Sequence, residues 1–334
     1  MSNNVYGVDL GTNNFKVYSK ASGKTMLEKN TIAIINKNEI YAYGDSAYAM
    51  YEKAPESINV VFPVVEGVIA DYNFLQIMIF DFLEHRMKAK VKNAEFIIAV
   101  PTDITDVEKR AFYELFYKSK SKPKKVMLCE KPIADAVGLG LDVNEPTGVM
   151  IVDMGADTTE ISVISLGGLV LSDLLHFGGN RIDESIISYI RKEYNLVIGQ
   201  KTAKILKETI GSALPGREDS MVIVGRDVVS GLPIEVEITA EIVYEAMKLN
   251  LENICTSIKM ILEKTPPELA KDIIHSGIYI TGGGSKLHGL GELFESITNI
   301  KVNGNENPEE SSVRGLIKIV SDSKYKRLPF SIKK

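Results

Sequence analysis

The stretch Val152–Glu160, with the sequence VDMGADTTE, decides how the rest of this 334-residue chain is interpreted. An apolar run at residues 149–152 leads to Asp153, then Gly155 and small polar residues turn the chain, and apolar residues at 161, 163 and 164 lead away again. An apolar run, a glycine-containing turn and an alternating run are typical of a hairpin. The stretch therefore predicts a strand, a tight turn and a second strand.

The same pattern occurs once more near the start of the chain, where residues 8–17 have the sequence VDLGTNNFKV. Glycine lets backbone N–H groups approach an anion closely, threonine and asparagine add donors, and an aspartate can hold a hydrated Mg²⁺. Either copy alone is more often an ordinary hairpin turn than a phosphate site. Together with a third glycine-rich turn, TGGGS at residues 281–285, the two copies favour a nucleotide cleft.

Composition and charge exclude several classes of function. A chain with 45% hydrophobic residues can bury large cores, and its length predicts about two domains. The net charge of -5 gives no general attraction to nucleic acid, and the basic residues lack the interleaved aromatic residues of a single-strand platform. We therefore expect no nucleic acid among the partners.

The cysteines and histidines indicate neither a disulfide framework nor a zinc site. Cys129 and Cys255 each lie inside an apolar run and are expected to be buried, reduced thiols. The four histidines lie in separate segments without ligand spacing. The sequence shows no secretion signal and no apolar run of membrane-spanning length, which predicts a cytoplasmic protein.

Helix and strand patterns alternate along the chain, and both halves open with the hairpin pattern. Residues 74–83 predict a helix that is apolar on all sides and therefore buried. Gly178–Asn180 predicts a tight turn. Thr105–Glu108 has the form of a capping box, and it opens a helix whose apolar stripe we expect in the core: Val107, Ala111, Phe112, Leu115 and Phe116. Together these patterns predict a duplicated α/β architecture with mixed sheets.

A series of short motifs, in order along the chain, resembles the MreB family of bacterial actins. The motifs include GVDLGT at residues 7–12, GVIAD at 67–71, ITDVE at 104–108, EPTG at 145–148 and TGGG at 281–284. The similarity extends over residues 5–315, so a chance resemblance is negligible.

The resemblance implies an actin-like fold, shared with DnaK-type ATPases, in which two lobes enclose a nucleotide cleft and each lobe has two subdomains. By matching position, subdomain IA comprises residues 1–30, 68–140 and 316–334, and subdomain IB comprises residues 31–67. Subdomain IIA comprises residues 141–180 and 241–315, and subdomain IIB comprises residues 181–240.

The resemblance also implies that ATP or ADP binds in this cleft with Mg²⁺. Asp9 and Asp153 are expected to hold the metal through water, and the expected catalytic positions are Glu130, Lys131, Asp157 and Thr158. The residues expected to bind the nucleotide are Gly11, Thr12, Asn13, Asn14, Gly155, Ala156, Asp157, Thr158, Gly178, Gly179, Lys204, Lys207, Gly282, Gly283, Gly284 and Ser285.

Two departures from the family pattern concern hydrolysis. The family has glycines where Ala156 and Asp157 stand, and it has a second glutamate where Lys131 follows Glu130. Because the family's second glutamate helps to position the attacking water, its replacement predicts at most slow ATP hydrolysis. The resemblance implies that Lys131 and Asp157 flank the γ-phosphate. Either their charges offset each other, or the two positions have changed independently in a site that no longer needs turnover.

Two further departures lie nearby in the implied site. Asp135 stands where the family has a small residue in the connecting helix, and Lys204 stands where the family has an acidic contact to the ribose. Both changes fall in the region that the resemblance assigns to the nucleotide.

The resemblance implies a filament-forming protein of cell shape or the internal cytoskeleton, built as head-to-tail protofilaments. The basic stretches at residues 86–92 and 118–125 are more often a solvated face of a protein. The alternative, which the resemblance implies because the family approaches membrane through this lobe, is an electrostatic contact with the inner face of an anionic membrane. The alternative function is that of a non-filamentous phosphotransferase of the sugar-kinase branch, which would need a base aspartate and two intact phosphate loops. Pelleting with nucleotide separates the two.

Overall fold

The computed structural model describes residues 4–332. Its strands are β1 Val5–Leu10, β2 Asn14–Ser19, β3 Lys24–Lys29, β4 Ile32–Ile35, β5 Glu39–Tyr43, β6 Ile58–Val61, β7 Val64–Val65, β8 Val68–Ile69, β9 Glu95–Val100, β10 Lys125–Glu130, β11 Val149–Met154, β12 Thr159–Ser165, β13 Gly168–Leu175, β14 Leu196–Val197, β15 Ser220–Asp227, β16 Pro233–Thr239, β17 Ile278–Thr281 and β18 Val302–Asn303.

The α-helices are α1 Asp45–Met50, α2 Tyr72–Asp81, α3 Asp106–Tyr117, α4 Lys131–Leu139, α5 Gly179–Tyr194, α6 Gln200–Ile210, α7 Ala240–Lys264, α8 Pro267–Ser276, α9 Leu290–Thr298 and α10 Ser311–Ser321. A π-helical turn, Phe82–Arg86, continues α2, and a 3-10 turn, Gly283–Lys286, follows β17. Both predicted hairpin turns are present, since β1 and β2 flank the first turn and β11 and β12 flank the second.

Two five-stranded sheets repeat the same strand order. The first sheet has the order β10-β9-β1-β2-β3, and the second has the order β13-β12-β11-β17-β18. In each sheet the strand that precedes the turn is central, with the two following strands on one side and two later strands on the other. The later strands run parallel to it, as β1 does with β9 and β11 does with β17. This repetition confirms the duplicated α/β architecture.

Smaller sheets accompany these two. The three-stranded sheet β5-β4-β6 lies within residues 31–67, and the three-stranded sheet β14-β15-β16 lies within residues 181–240. These two ranges are the ones in which the resemblance places the smaller subdomains, and the bounds of the seven segments stay a prediction. The chain ends that they include, residues 1–3 and 333–334, lie outside the described residues.

The chain divides into two compact units. Unit 1 comprises the residues up to Thr147, Ile164–Leu174 and the residues from Glu309 onward. Unit 2 comprises Gly148–Val163 and Leu175–Pro308. The two units thus interleave along the chain, and each contains one glycine turn that follows a central strand.

The core of unit 1 is aromatic and confirms most of the predicted apolar stripe of α3. Phe112, Leu115 and Phe116 are fully buried, and the ring of Phe116 lies 4.9 Å from that of Phe96 on β9. The prediction is wrong for Val107, which is 78% exposed. At 3.6 residues per turn, nine residues place Val107 about 180° away from Phe116 on the helix.

The prediction that the helix at residues 74–83 is buried on all sides is also wrong at one position. Leu75, Met78 and Ile79 are fully buried, whereas Ile77 is 56% exposed. The i, i+3 and i+4 positions of a helix share one face, and position i+2 lies on the other. The helix therefore has an outer side, and its apolar composition alone did not indicate this.

Both cysteines are buried, as predicted, and burial raises the pKa of Cys255 to about 11. A thiol with such a pKa remains protonated at neutral pH and is a poor nucleophile. Within residues 4–332, no helix combines the length and the apolar character needed to cross a bilayer.

Candidate functional site

The first glycine turn is closed by its own backbone and braced by an asparagine that follows β3. The Gly11 amide donates to the Asn14 carbonyl at 3.1 Å, and Asn30 donates from its side chain to the Gly11 carbonyl at 2.8 Å. The Asn30 backbone N–H donates to the Asn13 carbonyl at 3.0 Å. Thr12 is buried in this turn. The sequence predicted the turn but not its brace.

The Asn14 side chain leaves one buried atom unsatisfied. Its Oδ1 has no hydrogen-bond partner among the described residues. Because buried polar atoms normally have partners, an orphaned amide at the mouth of a turn is a feature that a ligand can satisfy. Because an amide oxygen accepts hydrogen bonds, a donor on a ligand or a water molecule around it can satisfy Asn14 Oδ1.

Asp9, the predicted metal residue before the first turn, has a lysine partner that the sequence reading missed. Lys16 Nζ lies 2.9 Å from Asp9 Oδ2, and both side chains are more than nine-tenths buried. The pKa of Asp9 is lowered because the charges of Lys16 and Lys131 outweigh the opposing effect of burial. The signal was available, because hairpin pairing places Lys16 directly opposite Asp9.

The predicted catalytic pair Glu130 and Lys131 lies where β10 ends and α4 begins. Glu130 is the N-cap of α4, and Lys131 is its first residue. Burial raises the pKa of Glu130, and the charge of Lys109 opposes this rise. Since β1, β9 and β10 run parallel, their carboxyl ends share one edge of the sheet with the first turn.

Asp135 lies deeper in α4 and contacts a second helix. Its Oδ1 accepts a hydrogen bond from Ser312 Oγ of α10 at 2.6 Å, and the side chains of both residues are buried. The departure from the family pattern at this position therefore joins two helices of unit 1.

The second glycine turn is held against the start of α5. The Gly155 amide donates to the Thr158 carbonyl at 2.8 Å. From α5, the amides of Gly179 and Asn180 donate to the carbonyls of Gly155 and Ala156 at 3.0 and 2.7 Å. Asn180 also donates from its side chain to Asp157 Oδ1 at 2.7 Å. Asp157 thus has a partner that nothing in the sequence indicated.

The prediction of a tight turn at Gly178–Asn180 is wrong, because Gly178 is the N-cap of α5 and the helix begins at Gly179. Gly178 is required there by close packing. A Cβ at this residue would lie 2.6 Å from the Gly155 carbonyl oxygen and 2.8 Å from that of Ala156. The glycine pair therefore indicates close packing of α5 against the second turn and not a reversal of the chain.

The third glycine turn packs on the strand that carries Asp153. Gly282 has a φ of 79°, and a Cβ there would lie 2.1 Å from Asp153 Oδ1. Ser285 donates from its hydroxyl to the Gly282 carbonyl at 2.8 Å. Gly283 has open space where a Cβ would lie. The turn therefore presents an accessible backbone edge beside Asp153.

Lys207, a predicted nucleotide residue, is engaged at the start of α5. Its Nζ lies 2.7 Å from Asp183 Oδ1 and donates to the Gly179 carbonyl at 2.7 Å. Burial lowers the pKa of Lys207 and raises the pKa of Asp183, and the opposite charges facing each other act against both shifts. Lys204 also acts on this pair and lies 3.8 Å from Glu208. Unit 2 thus brings together Gly178, Gly179, Lys204 and Lys207.

Comparison with known proteins agrees with this geometry. The family model of the MreB/Mbl protein matches residues 3–327. The cell shape-determining protein Mbl of Bacillus cereus is 37% identical over 305 residues, which cover 90% of this chain and 91% of that protein. The chain belongs to the MreB/Mbl family.

Solved structures confirm the actin-like fold of this MreB/Mbl chain. The crystal structure of MreB 5 of Spiroplasma citri bound to AMPPNP superposes with a TM-score of 0.90 at 34% identity, covering 94% of this chain and 95% of that one. A subunit of the MamK double helical filament superposes with a TM-score of 0.80 at 22% identity, covering 95% of this chain and 98% of that one. At such identity the MamK likeness concerns the fold alone.

The donor set of this MreB/Mbl chain suits a nucleotide better than it suits a metal ion at Asp9. The open space at Gly283 lets an anion approach the backbone of the third turn. The orphaned Asn14 Oδ1 can accept a hydrogen bond from a ligand or from water around it. Among residues 4–332 there is no cluster of three or more His, Cys, Asp or Glu side chains able to hold a metal. One oxygen of Asp9 is already engaged by Lys16, which leaves Asp153 as the better of the two predicted metal residues.

Proposed function

We propose that this chain binds ATP and ADP through the residues named from its sequence. Unit 1 contributes Gly11–Asn14, and unit 2 contributes Gly155–Thr158, Gly178, Gly179, Lys204, Lys207 and Gly282–Ser285. The observation that supports this proposal best is the repetition of one device, a glycine turn closed by a backbone hydrogen bond after a central strand, in both units. MreB 5 of Spiroplasma citri, its relative at 34% identity, was solved with AMPPNP bound.

Calorimetry with ATP and with ADP tests the binding proposal. We expect saturable binding of both nucleotides with Mg²⁺ present. The test variant is Asn14→Ala, which removes the orphaned side-chain amide of the first turn and should weaken binding about tenfold. No detectable binding at millimolar nucleotide would contradict the proposal.

Mg²⁺ belongs to this proposal as the partner of the bound phosphates, held through water by Asp153 and, by the sequence prediction, by Asp9. The metal would supply positive charge to the triphosphate. In unit 1, Lys16 and Lys131 already supply positive charge beside Asp9.

Hydrolysis is proposed to be slow. Lys131 is a cation at the start of α4, and it cannot accept the proton of an attacking water as a carboxylate would. A cation that binds the phosphates equally in the ground state and in the transition state does not raise the rate. The chain therefore acts as a nucleotide-holding switch and only weakly as an ATPase.

The offset between Lys131 and Asp157 is part of the same proposal. A double-mutant cycle with Lys131→Glu and Asp157→Gly, read as ATP affinity and phosphate release, measures it. We expect non-additive effects on affinity. Additive effects on ATP affinity would contradict the proposed offset. So would wild-type turnover equal to that of relatives that keep the second glutamate.

Self-assembly is the second part of the proposal. The chain forms straight protofilaments in which subunits join head to tail, through a heterologous interface that does not close into a ring. Membership of a family of cell shape-determining proteins supports this part. Light scattering and negative-stain images with ATP are expected to show filaments. Particles that remain monomeric in every nucleotide state would contradict assembly and favour the phosphotransferase alternative.

A cytoplasmic location at an anionic membrane face is the third part. The two basic stretches meet at one end of the first sheet, because the amides of Lys124 and Lys125 donate to the Ala94 carbonyl, and Tyr6 donates its hydroxyl to the Lys90 carbonyl. The apolar residues of the first stretch are not available for insertion, since Val91 is buried and Met87 packs on the core. Contact would therefore be electrostatic.

Part of this charge is already engaged. The structure pairs Arg86 with Glu28, Lys118 with Glu114, and Lys124 with Glu95. The exposed lysines that carry the proposed contact are Lys88, Lys90, Lys92, Lys120, Lys122 and Lys125. Each lysine near an anionic surface contributes about 1 kcal/mol.

Vesicle sedimentation tests the membrane contact. Binding to vesicles with anionic lipid is expected to fall as salt rises, and the triple change Lys88→Glu, Lys90→Glu and Lys122→Glu should abolish it. The matched control makes the same charge change on exposed lysines of unit 2, at Lys259, Lys264 and Lys271. Equal binding to neutral and anionic vesicles, or equal loss in the control, would contradict an electrostatic contact through these stretches.

A further inference from the structure

A cavity of unit 1 lies between β5 and the end of α2, and its volume is about 360 Å³. Ligand sites usually occupy about 300–1,000 Å³, so the cavity can hold one long side chain or a small molecule. It is lined by residues of β5, α2 and the π-helical turn, among them Ile40, Tyr41, Tyr43, Ile77, Asp81 and Arg86. None of these residues belongs to the proposed nucleotide site.

Two of the lining residues expose large apolar side chains to solvent. Tyr41 is 55% exposed and Ile77 is 56% exposed. Tyr41 is also the extra residue of a β-bulge, because the pairing of β5 with β4 skips it, and bulges often redirect a side chain beside a functional site. Exposed apolar side chains that flank a cavity are typical of a surface that binds a partner.

The polar side of the cavity contains an accessible carboxylate. Tyr43 donates its hydroxyl to Asp81 Oδ2. Burial and this contact raise the pKa of Tyr43 to about 12, so the hydroxyl keeps its proton and remains a donor at neutral pH. Asp81 Oδ1 lies 3.6 Å from Nε2 of His85, which is 73% exposed, and such an exposed pair contributes little. The Asp81 side chain is itself 41% exposed and can pair with a further cation.

Arg86 lines the same cavity, but its charge is already offset. Its guanidinium lies 2.5 Å from Glu28 Oε2 and 4.9 Å from the centre of the Tyr43 ring. Glu28 is only 6% exposed, and its other oxygen accepts a hydrogen bond from the Asp45 amide at 2.6 Å. With Arg86 neutralised by Glu28, Asp81 gives the lining a surplus negative charge. The cavity therefore favours a cation over an anion.

We propose that this cavity binds an arginine or lysine side chain from a peptide segment of a partner protein, and that apolar neighbours of this side chain pack on Tyr41 and Ile77. The cationic group pairs with Asp81. One anchoring side chain in a pocket, surrounded by contacts that exclude water, is the usual arrangement of a protein–protein hot spot. A free small cation would need Asp81 alone and would leave the exposed apolar pair unused. This inference depends neither on nucleotide binding nor on self-assembly.

NMR titration of the full chain, with its isoleucine methyl groups labelled, tests the proposal. The probe is the peptide Leu-Arg-Leu, blocked at both ends, and Leu-Gln-Leu is its neutral counterpart. The methyl signal of Ile77, assigned by its absence from Ile77→Ser, is expected to shift as the peptide is added. Leu-Arg-Leu should bind about tenfold more tightly than Leu-Gln-Leu, the value of a hydrogen bond to a charged group.

Three variants assign the binding to the cavity. Asp81→Asn keeps an acceptor for the Tyr43 hydroxyl and removes the charge, so the two peptides should then bind equally. Ile77→Ser changes an exposed residue and should weaken both peptides, read from the remaining isoleucine signals. Glu56→Gln removes an exposed carboxylate elsewhere in unit 1 and is the matched control, which should keep the wild-type preference for Leu-Arg-Leu.

Several outcomes would overturn the proposal. Equal binding of the two peptides to the wild type would remove the role of the charge, and tighter binding of Leu-Glu-Leu would show an anion site at Arg86. Ethylguanidinium binding as tightly as Leu-Arg-Leu would show a site for small cations. A shift of the Ile77 signal with protein concentration alone would assign the surface to a second copy of this chain.

Discussion

Each unit contains a buried pair of a lysine and an aspartate, and the environments of the two pairs differ. In unit 1, Lys16 faces Asp9 across a hairpin at 2.9 Å. In unit 2, Lys207 of α6 faces Asp183 of α5 at 2.7 Å. The pKa of Asp9 is lowered, whereas burial raises the pKa of Asp183 and lowers the pKa of its lysine partner.

The neighbours of each pair explain the difference. Asp9 has a second cation, Lys131, so its charged form is favoured although it is buried. Around Asp183 the added cation Lys204 is accompanied by the carboxylate Glu208, so burial dominates. The aspartate of the pair in unit 1 is therefore held in its charged form. The pair in unit 2 joins α6 to the start of α5.

The largest expected effect is the loss of the pair in unit 2. Lys207→Met removes the cation and leaves Asp183, whose side chain is 2% exposed, without that partner. Breaking a buried ion pair from one side costs about 3–5 kcal/mol, so we expect the free energy of unfolding to fall by this amount. Urea denaturation measures it.

Two companion variants sharpen the comparison for this pair. Lys204→Met, on the same helix with a more exposed side chain and a 3.8 Å ion pair, should cost less than about 1 kcal/mol. Lys16→Met should cost less than Lys207→Met, because Lys131 still acts on Asp9. If Lys16→Met proves the more destabilising change, the proposed contrast between the two units is wrong.

The same contrast shows what sequence reasoning can reach. The turns at Gly11–Asn14 and Gly155–Thr158 were predictable because glycine and asparagine signals act locally. The contact of Lys16 with Asp9 was within reach too, by counting residue pairs outward from the first turn. The contact of Lys207 with Asp183 was not, because it joins two helices through tertiary packing that no spacing in the sequence encodes.

The second prediction concerns Asp153, the counterpart of Asp9 in the second copy of the turn. Gly282 covers one oxygen of Asp153. Gly282→Ala places a Cβ against this oxygen at a φ of 79° with extended ψ, a region that is essentially restricted to glycine. We expect a loss of about 2–3 kcal/mol from strain and overpacking, measured by denaturation.

Gly283→Ala is the matched control for this change. It lies in the same turn, has open space at its Cβ position, and is expected to be nearly neutral. Equal losses in the two variants would show that the turn responds to any side chain and that the cover over Asp153 is not the cause.

The third prediction concerns pH and has opposite signs in the two units. Because the pKa of Asp9 is lowered in the folded state, its contribution to stability is present above its unfolded pKa, about 3.9, and is lost as the pH falls through the folded value. Because the pKa of Asp183 is raised, its contribution is present below about 3.9 and is lost as the pH rises through the folded value.

These signs are checked by denaturation of the wild type, Asp9→Asn and Asp183→Asn. The free energy of unfolding of each protein is measured from pH 3 to pH 7 in steps of about one pH unit. The stability difference between the wild type and Asp9→Asn should grow with pH, and the difference for Asp183→Asn should shrink. Glu39→Gln, at an exposed position, provides the baseline. Slopes of the same sign in both variants would contradict the contrast.

The smallest expected effect belongs to Lys131, the residue that distinguishes the surroundings of Asp9 from those of Asp183. Lys131→Gln removes a half-buried cation that acts on Asp9 while Lys16 stays in contact with it, so the stability at neutral pH should fall by less than about 1 kcal/mol. The informative readout is the acid limb of the stability profile. With one favourable charge removed, the folded pKa of Asp9 moves up toward its ordinary value, and the loss of stability on acidification starts at a higher pH. Lys109→Gln is the matched control, since Lys109 acts on Glu130 and is not among the groups that act on Asp9. If the acid limb moves equally in both variants, Asp9 is kept ionised by the total positive charge of the region and not by Lys131 in particular.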